Sequence, residues 1–302
     1  MPELPDVTVY VEALESRVLG RELRAIRLAS PFVLRSVDPK IADVVGREVV
    51  GMRRLAKRIV FELEGELFLV IHLMVAGRFK WEPKPGAKVP GRVGLAAFDF
   101  SGVDGGGTLI LTEASKKKRA SIHLVRGEEG LKAFSRGGIE PLGADLETFR
   151  EAITRERHTI KRALTDQRLV SGIGNAYSDE ILHRAKLSPM KRSDQLSEEE
   201  MQALHRSTQE VLTEWVARLR DEAGEGFPEK VTAFRPEMAV HGKYKEPCPV
   251  CGAPVQRIVY AENEANYCAR CQTGGKLLAD RSLSRLLKKS WPKTLDELEG
   301  DR

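Results

Sequence analysis

The chain has 302 residues, 41% hydrophobic and 31% charged, with 49 Lys and Arg against 44 Asp and Glu for a formal net charge of +5. That length accommodates two ordinary domains and a small module, and the apolar content excludes wholesale disorder. The longest apolar runs, such as Leu67 to Leu73, are too short to cross a bilayer, and the opening Met-Pro-Glu-Leu-Pro-Asp-Val lacks the order of a signal peptide, so no membrane partner and a cytoplasmic setting are expected.

Val7, Val11, Leu14 and Val18 fall at helical spacing, predicting a helix over Val7 to Leu19. Arg58 to Glu64 and Leu67 to Leu73 turn at Gly65 and read as a hairpin whose second strand is buried. Leu95 to Phe100 and Thr108 to Thr112 flank the Gly-rich turn Asp104 to Gly107 and read as another. A helix beside hairpins predicts an antiparallel β-sandwich within an α+β multidomain chain. The loop Arg136 to Gly143 marks a boundary, and the pattern beyond it is helical over 146–154, 160–164, 176–184 and 197–220. Ser197 and Glu200 supply a capping box for the last of these. After the linker Gly224 to Pro228 and a cysteine-rich module, a basic tail carries Leu277, Leu278, Leu283, Leu286 and Leu287 at the spacing of a short amphipathic helix. Such a tail packs on the sandwich or reaches phosphates. The expected segments are 1–135, a linker 136–145, then 146–240, 241–275 and 276–302.

All four cysteines lie in one window, Cys248-Pro-Val-Cys251 and Cys268-Ala-Arg-Cys271. Two close pairs at this spacing place four thiolates around one tetrahedral zinc; two disulfides are the alternative, and nothing else in the chain looks secreted. Four sulfur ligands leave no open position, so one structural zinc per chain is expected and the chemistry lies elsewhere.

Two groups could carry that chemistry. Removal of Met1 would leave Pro2 with a free secondary amine, able to attack an aldehyde-like sugar carbon and form an iminium, with the Glu3 carboxylate placed to move protons. Gly172-Ile-Gly-Asn175 forms a tight turn into a helix, whose backbone N–H groups and Asn175 amide suit a phosphate. The basic run Lys116 to Arg119 and the cations after Cys271 also suit phosphates, although a solvated face is the plainer reading of each.

Taken together, Pro2-Glu3-Leu4-Pro5, Lys57 before a hairpin, Ile160-Lys161, Gly172-Ile-Gly-Asn175-Ala-Tyr, Val240-His-Gly-Lys and the terminal four-Cys hairpin resemble the formamidopyrimidine-DNA glycosylase/endonuclease VIII family, from Pro2 to about Gln272. The resemblance implies a β-sandwich, a helix-two-turns-helix domain and a zinc hairpin that clasp damaged DNA, duplex or single-stranded. It implies a monomer in the cytoplasm, at the nucleoid if bacterial. Pro2 would be the nucleophile at sugar C1′, Glu3 its proton-transfer partner and Lys57 a phosphate contact near the lesion. Lys161 and Asn175 would hold backbone phosphates. Such enzymes extrude the damaged nucleotide, cut its glycosidic bond and break the strand by elimination.

Three lesion-facing positions depart from the family pattern. Where the family has His-Leu-Gly-Met-Ser-Gly, this chain has His72-Leu-Met-Val-Ala-Gly77, placing Val75 in the void-filling register and Met74 one residue early. In a strand that shift would turn Met74 to the opposite face. The family's Asp-Pro-Arg-Arg-Phe-Gly loop is replaced by Lys116-Lys-Lys-Arg-Ala-Ser121, with Arg119 a stand-in and no aromatic wedge. The hairpin tip has Asn263 between Glu262 and Glu264 where the family has an arginine, and asparagine cannot grip a phosphate bidentately. The reading is a base-excision glycosylase/lyase for damaged, chiefly oxidised bases. The rivals are a DNA-damage-binding paralogue with weakened catalysis and a zinc-ribbon transcription or translation factor.

Overall fold

The computed structural model describes residues 1–102, 105–229, 231–232, 234–260, 263–278 and 293–300. It divides into two compact units, one of Met1–Arg136 with Trp215–Thr232, the other of Gly137–Glu214 with Ala233–Arg302. The cysteine module lies in the same unit as the helices.

The first unit opens with α1 (Leu4–Val18), whose buried stripe of Val7, Tyr10, Val11, Leu14 and Val18 has the spacing seen in the sequence. Eight strands follow: β1 (Leu23–Leu28), β2 (Val49–Leu55) after the single-turn α2 (Ile41–Val44), β3 (Arg58–Leu63), β4 (Leu67–His72), β5 (Gly77–Glu82), β6 (Gly94–Phe100), β7 (Gly107–Glu113) and β8 (Ser121–Arg126), then α3 (Gly127–Lys132). They form two antiparallel sheets in the orders β1-β6-β7-β5 and β2-β3-β4-β8. Both expected hairpins are present as β3-β4 and β6-β7. Ile59, Phe61, Leu69, Ile71, Phe98, Leu109 and Leu111 fill the core between the sheets, with Phe61 stacked on Phe100 at 5.9 Å. Every residue of β6 is buried, including Asp99. That carboxylate accepts from Arg27, from the Thr108 hydroxyl at 2.6 Å and from the Gly86 N–H, which is how a charged residue persists inside a strand. The segment 215–232 belongs here too: Arg220 forks onto Glu12 at 2.6 and 2.8 Å, and Phe227 packs 5.7 Å from Tyr10.

The second unit contains α4 (Leu146–Thr154), α5 (Ile160–Thr165), α6 (Asn175–Arg184) and most of α7 (Glu198–Ala223). Capping side chains start α4, α5 and α7. Asp145 accepts from the Thr148 N–H, Thr159 from Arg162, and Ser197 and Glu200 bond reciprocally. Two tight turns separate α5 from α6. A two-stranded hairpin, β9 (Val255–Tyr260) with β10 (Asn263–Cys268), leads into α8 (Ala269–Thr273), and α9 (Leu295–Gly300) follows. Leu277 and Leu278 are not helical, while Leu283, Leu286 and Leu287 of the expected amphipathic helix lie outside the described residues. The described part of the tail packs on the cysteine module, where Leu277 and Leu295 join its apolar cluster.

The turn from β4 to β5 crosses between the two sheets of the sandwich. The Gly77 N–H donates to the Leu73 carbonyl at 2.9 Å, and a Cβ on Gly77 would sit 2.2 Å from that oxygen. Gly77→Ala is therefore expected to cost about 1–3 kcal/mol, the range for forced overpacking. Urea unfolding would show it as a lower midpoint at unchanged slope; a loss below roughly 0.5 kcal/mol would mean that the turn gives way freely.

Candidate functional site

In the first unit, α1 begins one residue after the chemistry-bearing Glu3. The Glu3 N–H donates to Asp6 Oδ2 at 2.9 Å, and its carbonyl accepts from Val7, so the start of the chain is drawn onto the first helical turn. Pro2 is buried, Glu3 is 3% exposed and Lys57 6% exposed. Burial holds the terminal ammonium below its ordinary value of 8.0; Glu3 and Asp6 pull it up, while Arg78 and Lys57 push it further down. Burial likewise lowers Lys57, against the pull of Glu3 and Asp6. The structure thus places Glu3, Lys57, Asp6 and Arg78 within electrostatic reach of the Met1 amine, next to Pro2 in the chain; Asp6 and Arg78 were missed by sequence reasoning. The positive end of α1 also disfavours a protonated amine there.

Lys57 sits on a two-residue turn between β2 and β3, where Ala56 is left-handed at φ 54°. A non-glycine residue in that region is uncommon and is a signal for a functional position. Beside it, burial and the cations Arg58 and Lys57 push His72 down to about 4. Arg58 is itself lowered by burial and by Arg136, so cations gather here on one sheet.

Val75 is 58% exposed at the tip of the β4–β5 turn. The strand argument for Met74 needs correction: Met74 to Ala76 form a turn, with Met74 left-handed at φ 53°, so strand alternation does not govern which way either side chain points. Arg78 Nη1 donates to the Val75 carbonyl at 3.2 Å, linking this tip to the terminal amine that Arg78 also influences. Gly77 pairs with Glu113 across β5 and β7, which sets the loop 114–120 beside the same turn. The buried Glu113 carboxylate accepts the Arg119 and Ala120 N–H groups, both at 2.9 Å, and leaves the Arg119 side chain exposed.

In the second unit, the Gly172-Ile-Gly turn is clamped by Gln167, which accepts from the Gly172 N–H at 2.9 Å and donates to the Ile173 carbonyl at 2.7 Å. Lys161 differs from its expected role as a phosphate ligand. Its three ammonium donors are taken inside the protein, by the Asn175 carbonyl at 3.1 Å, Ser178 Oγ at 3.0 Å and Asp179 Oδ1 at 2.5 Å. Asp179, with a fully buried side chain, also meets His241 Nδ1 at 2.8 Å. Next to it, Glu180 accepts the N–H groups of Ala239, Val240 and His241. Asn175 donates to the Glu264 carbonyl at 2.7 Å, tying the start of α6 to β10. Asn263 opens β10; its side chain, like Ala261 and Glu262, lies outside the described residues. Glu264 pairs with Arg257 at 3.5 Å, so the acid expected to repel phosphate has a cationic neighbour.

The four cysteine sulfurs lie within 4.8 Å of one another, Cys251 3.4 Å from Cys268 and Cys248 3.9 Å from Cys271. Zn–S bonds of about 2.3 Å at tetrahedral angles imply S–S edges of about 3.8 Å, so the residues fit a structural Zn2+. His183 Nε2 lies 3.3 Å from Cys248 Sγ and supports that ligand from outside the shell.

Residues 1–118 match the formamidopyrimidine-DNA glycosylase N-terminal domain, 138–223 its H2TH domain and 245–274 the zinc finger found in FPG and IleRS. The chain belongs to the formamidopyrimidine-DNA glycosylase family. It is 33% identical over 283 residues to the formamidopyrimidine-DNA glycosylase of Thermus thermophilus, covering 91% of this chain and all of that one. An uncharacterized formamidopyrimidine-DNA glycosylase-like protein of Mycobacterium tuberculosis is 46% identical over 129 residues, 43% of this chain and 80% of that one. The Lactococcus lactis Fpg in complex with abasic-site DNA superposes with a TM-score of 0.78 at 28% identity, over 90% of this chain and 99% of that one. MutM in complex with carbocyclic 8-oxo-G DNA gives the same score at 29% identity, over 90% and 100%.

Lys161→Met leaves the buried Asp179 carboxylate short of a partner and is expected to cost about 3–5 kcal/mol, with Asp179→Asn in the same chain recovering a large part. A thermodynamic cycle in which the two losses simply add would sink the coupling. Metal chelation is expected to strip amide protection from β9 and β10 in hydrogen exchange and to spare β1 to β8.

Proposed function

We propose that this chain is a bifunctional DNA glycosylase and abasic-site lyase acting on damaged, chiefly oxidised, bases through the amine of Pro2. The observation that carries this is the buried Pro2 at the entry to α1, next to the buried Glu3 whose N–H is held by Asp6, with the buried Lys57 in electrostatic reach of both acids. A neutral secondary amine attacks sugar C1′ and the damaged base departs with the glycosidic bond's electron pair. The opened sugar is then an iminium, and Glu3 moves protons at it. The iminium acidifies the C2′ proton; its removal expels the 3′ phosphate, and hydrolysis returns the amine. The cations gathered around Lys57, Arg58 and His72 suit the phosphate left beside the sugar.

In this reading Asn175 and the start of α6 contact the DNA backbone, and Lys161 shapes that surface through Asp179 instead of touching phosphate. Asn263 would make a neutral contact where the family has a cation. Val75 and Arg119 face the helix at the lesion. A short apolar tip and a loop with no aromatic ring fill the gap left by an extruded base poorly. This favours relaxed dependence on the opposite strand, with single-stranded DNA accepted alongside duplex. The same two observations favour a second reading, a DNA-damage-binding paralogue with weak excision. Either protein would act as a monomer.

Borohydride trapping on an abasic-site oligonucleotide separates the two. The expected outcome is a covalent adduct of the Met1-processed chain, abolished by Pro2→Gly with DNA binding retained. Glu3→Gln should slow turnover by roughly 10²–10⁴-fold. No adduct from chain with Met1 removed would exclude the lyase. The amine reacts only when deprotonated, so trapping should rise with pH; trapping that falls as pH rises would exclude the amine as the nucleophile.

A further inference from the structure

The chain continues past the region its relatives share. The zinc-finger match stops at residue 274, and the full-length T. thermophilus enzyme accounts for 91% of this chain. Immediately after Cys271 the backbone reverses. Gly274 and Gly275 take φ values of 61° and 89°, left-handed conformations that suit glycine, and both N–H groups donate to the Ala269 carbonyl. The reversal lays 276–278 back across the zinc module.

There it meets the start of the segment 293–300. Lys276 pairs antiparallel with Thr294; the Leu277 N–H donates to the Lys293 carbonyl at 2.8 Å, and the Leu295 N–H to the Gly275 carbonyl at 3.0 Å. Thr294 Oγ1 accepts from the Glu297 N–H, while the Glu297 carboxylate accepts from the Lys293 N–H, so side chains lock the entry to α9. The Leu278 N–H donates to Tyr267 Oη of β10 at 2.7 Å. Leu277, 7% exposed, and Leu295, 1% exposed, belong to the same apolar cluster as Cys248, Cys268, Val255 and Ile258, with Leu278, Cys251 and Cys271 packed on its margin. Leu277 and Leu295 therefore close an apolar cluster to which Cys248 and Cys268 belong and against which Cys251 and Cys271 pack.

We propose that residues 276–278 and 293–295, paired on the zinc module, are a metal-retaining clamp, a wall that must detach before the four-cysteine shell can open. Zinc leaves such a shell by stepwise exchange of its thiolates for an incoming chelator, and each step needs a ligand to swing away from the metal. Cys268 and Cys271 lie at the start of α8, whose end is bound to the reversal at Gly274 and Gly275, and the cluster behind them is closed by Leu277 and Leu295. Moving either thiolate outward strains this cluster and the Leu278–Tyr267 hydrogen bond that holds the extension on β10.

The test is transfer of zinc from the folded, zinc-loaded full chain to excess 4-(2-pyridylazo)resorcinol, followed by absorbance. It compares wild type with Leu277→Ala/Leu295→Ala, Tyr267→Phe, Leu295→Val and a chain ending at Gly275. Release is expected to be at least about 10-fold faster in the double variant and the shortened chain, because each loses buried leucine contacts. It is expected to be about 2–5-fold faster in Tyr267→Phe, which loses one hydrogen bond. Each variant starts with one zinc per chain. Should the shortened chain not purify, Tyr267→Phe and Leu295→Val decide, since both nearly preserve volume. Rates within two-fold of wild type in these variants would overturn the proposal. A second readout rests on the DNA-binding function: after a fixed chelator pulse, wild type keeps its affinity for an abasic-analogue oligonucleotide and the double variant loses it. Equal loss in both would also overturn the clamp.

Discussion

Two adjacent carboxylates on α6, Asp179 and Glu180, hold together most of what the second unit presents. An unpaired buried carboxylate is among the costliest groups a protein can carry, so the surrounding chain is obliged to satisfy both. Asp179 takes Lys161 from α5 and His241 from the segment before the zinc module. Glu180 takes three successive backbone N–H groups from that same segment, 239–241. Burial raises the Glu180 carboxyl and those N–H groups oppose the rise, so the carboxylate depends on the segment as much as the segment depends on it. His183, one turn further along α6, reaches Cys248. One helix thereby registers α5, the approach to the zinc module and the module itself, with Asn175 at its start bonded to β10. The zinc shell holds the hairpin's own shape, and α6 holds its place within the unit.

The first unit depends on the opposite device, a charge kept from being comfortable. The Met1 amine lies among Lys57 and Arg78 as well as Glu3 and Asp6, and burial, the largest influence on it, lowers it. Lys57 stays close because its turn tolerates Ala56 in a left-handed conformation, a local cost that the flanking β2 and β3 ladder sustains.

The sequence exposed patterns more readily than partners. Four cysteines in two pairs have one economical arrangement, and helix caps such as Ser197 with Glu200 are local, so both were legible. β1, β2, β5 and β8 were not, since their burial depends on which neighbours pair with them; β6 is buried on every residue and shows no alternation at all. Lys161 illustrates the limit. Its position in a motif was readable, but its acceptors come from residues 175 to 179, and only the folded turn shows that its three donors are already used. Asp6, Arg78 and Gln167 were missed for the same reason, each acting through a contact that has no spacing signature. Gly274-Gly275 after the last cysteine was a readable sign of reversal, and what it reverses onto was not.

The departures from the family pattern fall on presented side chains, while the frames that present them are intact. Val75 stands on a turn closed by Gly77 and Leu73, and Arg119 on a loop whose backbone is held by the buried Glu113. Loss of selection on the whole site would be expected to loosen those frames too, because a buried carboxylate such as Glu113 is costly once the loop it holds has no use. Altered specificity requires the reverse, a rigid frame with new groups at its tips, since positioning residues must keep their geometry while contact residues change. The buried amine belongs to the same pattern, because a neutral amine held among cations has no stabilising value of its own. Retained frames with exchanged tips therefore weigh toward an enzyme with a shifted substrate and against a binding relic.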